Sequence, residues 1–293
     1  MKILLAVDGS ECSERAAHFL TRFQFSPQDE ITVFHVISEI PYDDDASANI
    51  RRIIKRVAPQ ILESAASILE PVRAKVIKRE EEGYPDNTIM EAAKDTDVDL
   101  IVMGTRGIKG IKSLFIGSVT RSVAINSVKP VLVTRRPQWG VSTNMKVVLA
   151  MDGSDSARAT TELLLSMPFP PDTEFLITTV SGSAFSHIPE QFTTEINEET
   201  KQDAARVKAI EYEKACQIMD QSRACLSKRF THIEELIRIG DPSTEILNAA
   251  EGFHADIIAV GCRGLKGIKG MMGSVSRRIL GHSQCPVLIG KSH

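Results

Sequence analysis

The chain has 293 residues, 42% hydrophobic and 25% charged; at about 150 residues per domain this predicts two globular units with ordinary cores. Lys plus Arg is 35 against 38 Asp plus Glu, a net charge of −3, and aromatic residues are 5%; nucleic-acid coating, base-stacking capture of single strands and binding to an anionic membrane are therefore not expected. No apolar run approaches the roughly 20 residues of a membrane span, the apolar start is too short for a secretory signal, and Cys12, Cys216, Cys225, Cys262 and Cys285 are scattered without a CxxC, so reduced thiols in a cytoplasmic protein are expected.

The chain repeats itself. Residues 1–10 read MKILLAVDGS and residues 145–154 read MKVVLAMDGS; DLIVMG at 99–104 is echoed by DIIAVG at 256–261, and KPVLV at 129–133 by CPVLI at 285–289. Two copies of one domain explain the three matches, with units at 1–137 and 138–293. The join at 134–144 contains Pro137, Gly140 and polar residues, and is short enough to hold the halves together.

In chain order, 3–7 is a continuous apolar run, as in a strand buried on both faces. Ser10 is placed to cap a helix through about Phe23, with Ala16, Ala17, Phe19 and Leu20 on its apolar face. A second strand follows at 31–37. The spacing of Ile50, Ile53, Ile54, Val57, Ile61 and Leu62 predicts a helix over 50–69. A weaker, edge-like strand at 74–79 precedes the break at Gly83-Tyr84-Pro85 and a helix at 88–94. Strand 100–103, helix 118–127 and strand 131–133 complete the unit. The second half has strands at 147–151, 174–180, 233–239, 257–260 and 287–289, and a long charged helix over 195–227 that absorbs most of its extra length. Strand–helix alternation calls for a parallel sheet with helices on both faces.

Ligands of open α/β sheets bind beyond the carboxyl ends of the strands, at a topological switch point, and three segments of each half converge there. Asp8-Gly9-Ser10, mirrored by Asp152-Gly153-Ser154, reads as a tight turn with a helix cap, and equally as a carboxylate set identically into both copies. Gly104-Thr-Arg-Gly107 is followed by nine residues, 108–116, and then by Gly117-Ser118-Val119 opening a helix. Glycines let backbone N–H groups approach an anion, a helix N-terminus favours phosphate, and Arg106, Lys109 and Lys112 add positive charge. The segment fits neither a P-loop, which needs GK[ST] five residues after its first glycine, nor G-x-G-x-x-G. Third, Val36 after His35 reads either as an apolar wall for a base or as an ordinary buried strand residue. Cys262 reads as an inert loop cysteine rather than an activated thiol, the seven histidines show no metal-ligand spacing, and Asp43-Asp44-Asp45 reads as a solvated loop.

With these residues in view, nearly the whole chain resembles the universal stress protein family in a tandem two-domain form. The carriers are G-x2-G-x9-G-[S/T] from Gly104 to Ser118, which looks like the family's ATP-binding signature, with AVDGS near the start, Gly83 to Asp86 before a helix, Asp99 before the fourth strand and KPVLV at the domain end. The resemblance implies two doubly wound five-stranded parallel-sheet domains of order 3-2-1-4-5, similar to adenine nucleotide alpha hydrolases. It implies that Ala6, Val7, Asp8 and Val36 contact adenine and ribose, that Met103, Gly104 and Gly107 lie along the ribose and α-phosphate, and that Gly117, Ser118 and Val119 take the outer phosphates, with Mg²⁺ as companion ion. Asp152, Val180, Gly261, Gly264, Gly273 and Ser274 form the second set. The family's dimer contact through the fifth strand would here fall within one chain, as an intrachain pseudo-dimer, or between chains in a homodimer.

The second copy departs in one respect: only eight residues, 265–272, separate Gly264 from Gly273. One residue shortens the reach by up to about 3.5 Å, so tighter ATP binding is expected in the first half. Three functions stay open: an ATP-binding regulatory protein of the stress response with little or no turnover, a weak ATPase or adenylyl-transfer enzyme, and a nucleotide-independent interaction module. No catalytic or metal-ligating residue is assigned, and the protein partner is left unnamed.

Overall fold

The computed structural model describes residues 1–39, 45–107, 116–135, 144–181, 198–265 and 272–292. The first half runs β1 (Lys2–Val7), α1 (Glu11–Leu20), β2 (Glu30–Ser38), α2 (Asp45–Ile68), β3 (Lys75–Gly83), α3 (Pro85–Asp95), β4 (Leu100–Gly104), α4 (Ser118–Asn126) and β5 (Val131–Thr134). The second runs β6 (Lys146–Ala150), α5 (Asp155–Ser166), β7 (Glu174–Ser181), α6 (Glu198–Leu226), β8 (His232–Ile239), α7 (Pro242–Phe253), β9 (Ile257–Gly261), α8 (Ser274–His282) and β10 (Val287–Gly290). The alternation read from the sequence is therefore present in both halves, with β3 ending four residues later than expected and the first helix ending at Leu20, after which Phe23 turns into the core.

The strands form one ten-stranded sheet of order β3-β2-β1-β4-β5-β10-β9-β6-β7-β8. Each half has the expected order 3-2-1-4-5 with parallel pairing. The halves meet where β5 and β10 pair antiparallel, Leu132 opposite Leu288. The outer strands β3 and β8 carry runs such as KVIKREEEG, and such charge protects a sheet edge from further pairing.

Strand alternation sorts the core onto two faces. Ile3, Leu5 and Val7 pack with Ala16, Phe19 and Leu62 on the side of α1, α2, α5 and α6. Leu4 and Ala6 pack with Ile89, Val123, Ile246 and Ile279 on the side of α3, α4, α7 and α8. Both clusters draw on both halves, so on each face of the sheet the core runs on from one repeat into the other. Further ties cross between them: the Phe23 and Phe169 rings lie 5.2 Å apart, Gln24 N donates to Pro168 O at 2.7 Å, and Arg22 pairs at 2.6 Å with the buried Asp256.

The helix expected over 50–69 is present, but its apolar residues are not all buried. In α2 the buried positions are Ala58, Leu62 and Ala65, with Ile61 partly buried, whereas Ile50, Ile53 and Val57 are exposed. The apolar spacing forms a helix throughout, but only its carboxyl half lies over the sheet. Lys109, Lys112, Asp43, Asp44 and most of the join at 134–144 lie outside the described residues. No helix among the described residues is long and apolar enough to cross a membrane.

Candidate functional site

The first segment is built by a glycine turn. After β1, Gly9 adopts φ +77°, and after β6 Gly153 adopts φ +79°, a left-handed conformation that glycine takes without the Cβ penalty. The turn points the preceding aspartate back over the following backbone. Asp8 Oδ1 accepts from Ser10 N at 3.1 Å and from Ser10 Oγ at 2.6 Å, and Asp152 Oδ1 accepts from Ser154 N at 3.0 Å. Ser10 and Ser154 cap α1 and α5 by accepting from Ser13 N and Ala157 N. The turn-and-cap reading is thus correct locally. The serines also reach the glycine segment: Ser10 Oγ lies 3.3 Å from Arg106 O, and Ser154 Oγ donates to Arg263 O at 3.1 Å.

The glycines of the second segment have different tasks. A β-carbon on Gly104 would stand 2.5 Å from Cys12 O, and one on Gly261 would stand 2.5 Å from Ser156 Oγ. Glycine at these two strand ends lets the amino end of α1 or α5 pack directly on the sheet. A β-carbon on Gly107 would strike Asp8 Oδ2, and one on Gly264 would lie 2.8 Å from Asp152 Oδ2. Gly107 and Gly264 thus admit the carboxylate against the loop backbone. Gly117 and Gly273, the N-caps of α4 and α8, have φ −73° and −61°, and added β-carbons would find only ordinary contacts at 3.5 Å and beyond. The described protein does not itself need glycine at these caps. No side chain caps either helix, so the first-turn N–H groups lack a side-chain acceptor.

The second loop, although one residue shorter, is anchored as the first is. Gly117 N donates to Thr105 O at 2.7 Å and Gly273 N to Cys262 O at 2.7 Å. Thr120 Oγ1 donates to Gly104 O at 2.9 Å and Ser276 Oγ to Gly261 O at 2.6 Å. The deficit falls within 266–271, outside the described residues, and leaves both anchor points in place.

The site residues read from the sequence converge. Ala6 sits beside Met103 in the sheet register, and Val7 beside His35, whose Nδ1 contacts Val7 O at 2.8 Å; Val36 is the next residue along β2. Asp8, Gly104, Gly107, Gly117 and Ser118 gather where β1 and β4 diverge, at the switch point of the strand order, and Val119 packs on the same face. In the second half a cavity of about 350 Å³ is walled by Asp152, Val180, Gly261, Gly264, Gly273 and Ser274, all six of the residues assigned there. That volume is at the lower end of small-molecule clefts.

The sequence reading missed other walls of this cavity. Ala150, Met151, Val260 and Val275 line it, and the repeat already pointed to them as the counterparts of Ala6, Val7, Met103 and Val119. Thr178 lies two residues before Val180, on the same face of the strand. Pro242 and Ile246 come from α7, and Arg263 and Ser276 from the glycine loop and α8. Cys262 is buried, as fits an inert loop cysteine, and burial pushes the Cys285 thiol up to about 12. Among the described residues no group of three or more His, Cys, Asp or Glu is placed to hold a metal ion.

The fold and site define a class: a duplicated, doubly wound α/β protein with a candidate ligand site off the strand ends. The universal stress protein family model matches residues 1–135 and again residues 143–291, and the chain belongs to that family. Universal stress protein YxiE of Bacillus subtilis (strain 168) is 30% identical over 145 residues, 46% of this chain and 98% of that protein. A universal stress protein of Methanocaldococcus jannaschii is 30% identical over 141 residues, 47% of this chain and 83% of that one. Each relative thus corresponds to about one half of this chain. The crystal structure of a universal stress protein from Archaeoglobus fulgidus DSM 4304 shares the fold at a TM-score of 0.62 and 23% identity, covering 99% of this chain and 96% of that one.

Proposed function

We propose that this protein is an ATP-binding regulatory member of its family, acting in the cytoplasm, that holds a nucleotide at each strand-end site with little or no turnover. The observation that carries the reading is the cavity of the second half, walled by the six residues assigned from the sequence. Its chemistry suits such a ligand. Ala150, Val180 and Ile246 offer apolar surface to a base, Asp152 a carboxylate to ribose hydroxyls, and the uncapped amino end of α8 its N–H groups to phosphate. Ala6, Val36, Asp8 and the amino end of α4 supply the same set in the first half. Mg²⁺ would arrive with the triphosphate, held by phosphate oxygens and water, because this ion seldom needs a protein cage. The pairing of β5 with β10 supplies within one chain the fifth-strand contact of a pseudo-dimer.

The test is mass spectrometry of nucleotide released from freshly purified protein, with the ATP to ADP ratio followed over hours, alongside titration calorimetry. Two bound nucleotides per chain and a ratio that barely moves are expected. Rapid, protein-dependent release of phosphate or pyrophosphate would favour an enzyme instead. No retained nucleotide and no heat of binding would leave an interaction module. A ligand at 100 times its Kd stabilises by about 2.7 kcal/mol, so thermal unfolding offers an independent check.

A further inference from the structure

At one position inside the site the second half carries a hydroxyl where the first has an aromatic ring. In the register of the first half Phe34 stands beside Ala6; in the second, Thr178 stands beside Ala150. Phe34 is fully buried, with the Arg79 guanidinium 5.8 Å from its ring centre. Thr178 is also fully buried, lines the cavity, and its Oγ1 has no hydrogen-bond partner among the described residues. An unmatched buried hydroxyl is costly, and a ligand atom that satisfies it recovers more than an ordinary hydrogen bond contributes.

We propose that the Thr178 hydroxyl is the base-reading group of the second site, hydrogen-bonding a ring-edge heteroatom of the purine, and that the first site lacks this contact. The proposal rests on the nucleotide reading above and goes beyond it by making the two sites unequal in how they hold the base. A hydroxyl both donates and accepts, so it suits any polar atom of a purine edge, whereas the phenyl ring of Phe34 offers only apolar surface. Thr179 supplies an internal control. Its Oγ1 is likewise buried and without a partner, but it points to the opposite face of the strand and does not line the cavity.

The experiment uses the full chain carrying Gly117→Glu to silence the first site, with ATP as the probe in titration calorimetry and thermal unfolding of the ligand-free protein. Thr178→Val is expected to weaken ATP binding about tenfold, as loss of one hydrogen bond that leaves a base atom unmatched would. The same change should raise the ligand-free melting temperature by about 2 °C, because an unmatched hydroxyl has been removed. Thr178→Ser should restore affinity to within about twofold of the parent. Thr179→Val should raise the melting temperature and leave affinity unchanged. If Thr178→Val raises the melting temperature while ATP binds as before, the hydroxyl does not meet the base and the proposal falls, with the nucleotide reading intact. If the parent with Thr178 in place binds neither ATP nor GTP, the second site itself is absent and both fall for this half.

Discussion

The carboxylate of Asp8 lies directly against the α-carbon of Gly107, so closely that a β-carbon there would strike Oδ2, and Asp152 stands in the same relation to Gly264 at 2.8 Å. The first contact joins the end of β1 to the loop after β4 across the mouth of the site. Asp8 is steadied from the other side by the Ser10 amide and hydroxyl on Oδ1.

Gly107→Ala therefore displaces a carboxylate rather than the backbone. The obstructing atom is the end of a side chain, so the fold accommodates the change and the melting temperature is expected to stay within about 3 °C of the parent. ATP affinity at the first site, read in a chain carrying Gly273→Glu, should fall by about tenfold or more because the proposed contact of Asp8 with the ribose is lost. Calorimetry and thermal unfolding on the same samples decide it; unchanged affinity would remove Asp8 from the site.

The N-cap glycines give the opposite pattern of stability and binding. Gly117 and Gly273 have room for a side chain and ordinary φ values. Serine is a good N-cap, because its hydroxyl accepts from the N2 or N3 amide. Those amides are the ones a phosphate would use. Gly117→Ser and Gly273→Ser should each raise or preserve the melting temperature while weakening ATP binding at the altered site about tenfold. A serine that strengthens both the fold and the binding would show that the helix ends do not hold phosphate.

Across the central seam, Arg135 and Lys291 hold equivalent places just beyond β5 and β10, and each caps the last turn of a helix in the other half. Arg135 donates to Leu280 O at 2.7 Å and to Ser283 O, and Lys291 Nζ donates to Ala124 O at 2.9 Å and Ile125 O at 3.2 Å. Burial lowers the pKa of both groups, Arg135 to about 10, so Arg135 remains charged at neutral pH and suits the negative end of a helix dipole. Arg135→Ala leaves buried carbonyls unmatched and is expected to cost about 2 kcal/mol in urea unfolding. Lys291→Ala should cost about 1 kcal/mol, and the double variant should lose about the sum, because the two caps share no partner. A loss below 0.5 kcal/mol for Arg135→Ala, on the order of an ordinary surface change, would mean that β5–β10 pairing alone secures the seam.

Much of this architecture is legible in the residues. The run Ile3 to Val7 has apolar groups on both faces, and its echo at 147–151 fixed the frame for the other strands. Gly104, by contrast, looks in the sequence like part of a phosphate cradle, and only the approach of Cys12 shows that its missing β-carbon makes room for α1. Ile50, Ile53 and Val57 have helical spacing, but spacing cannot tell how far a helix extends past the sheet it packs on. Pro242 and Ile246 line the cavity because α7 crosses the strand ends, a long-range contact with no local signature. Thr178 was readable in principle, two residues from Val180 on one strand. Its lack of a hydrogen-bond partner emerges only from the packed core.

The amino end of α7 carries an acid-sensitive cap that the amino end of α3 lacks. Asp241 caps this helix, accepting from Thr244 Oγ1 at 2.7 Å, Ser243 Oγ at 2.8 Å and Thr244 N at 2.9 Å; the corresponding cap of α3 is Tyr84, with no side-chain hydrogen bond. The hydrogen bonds from Thr244 and Ser243 hold the Asp241 carboxyl down at about 2, against 3.8 for an ordinary aspartate. Because the folded value lies below the unfolded one, the contribution is complete above about pH 4 and is lost as pH falls toward 2. Asp241→Ala should cost about 1 kcal/mol at pH 7, the usual worth of an N-cap, and the difference from the parent should shrink as pH drops from 4.5 to 2.5. Since Pro242 lines the cavity, ATP affinity of the second site should weaken in the same variant while the first site is unaffected. Urea unfolding at stepped pH, with calorimetry at pH 7, provides the measurement; a difference that persists undiminished at pH 2.5 would show that the cap does not act through its charge.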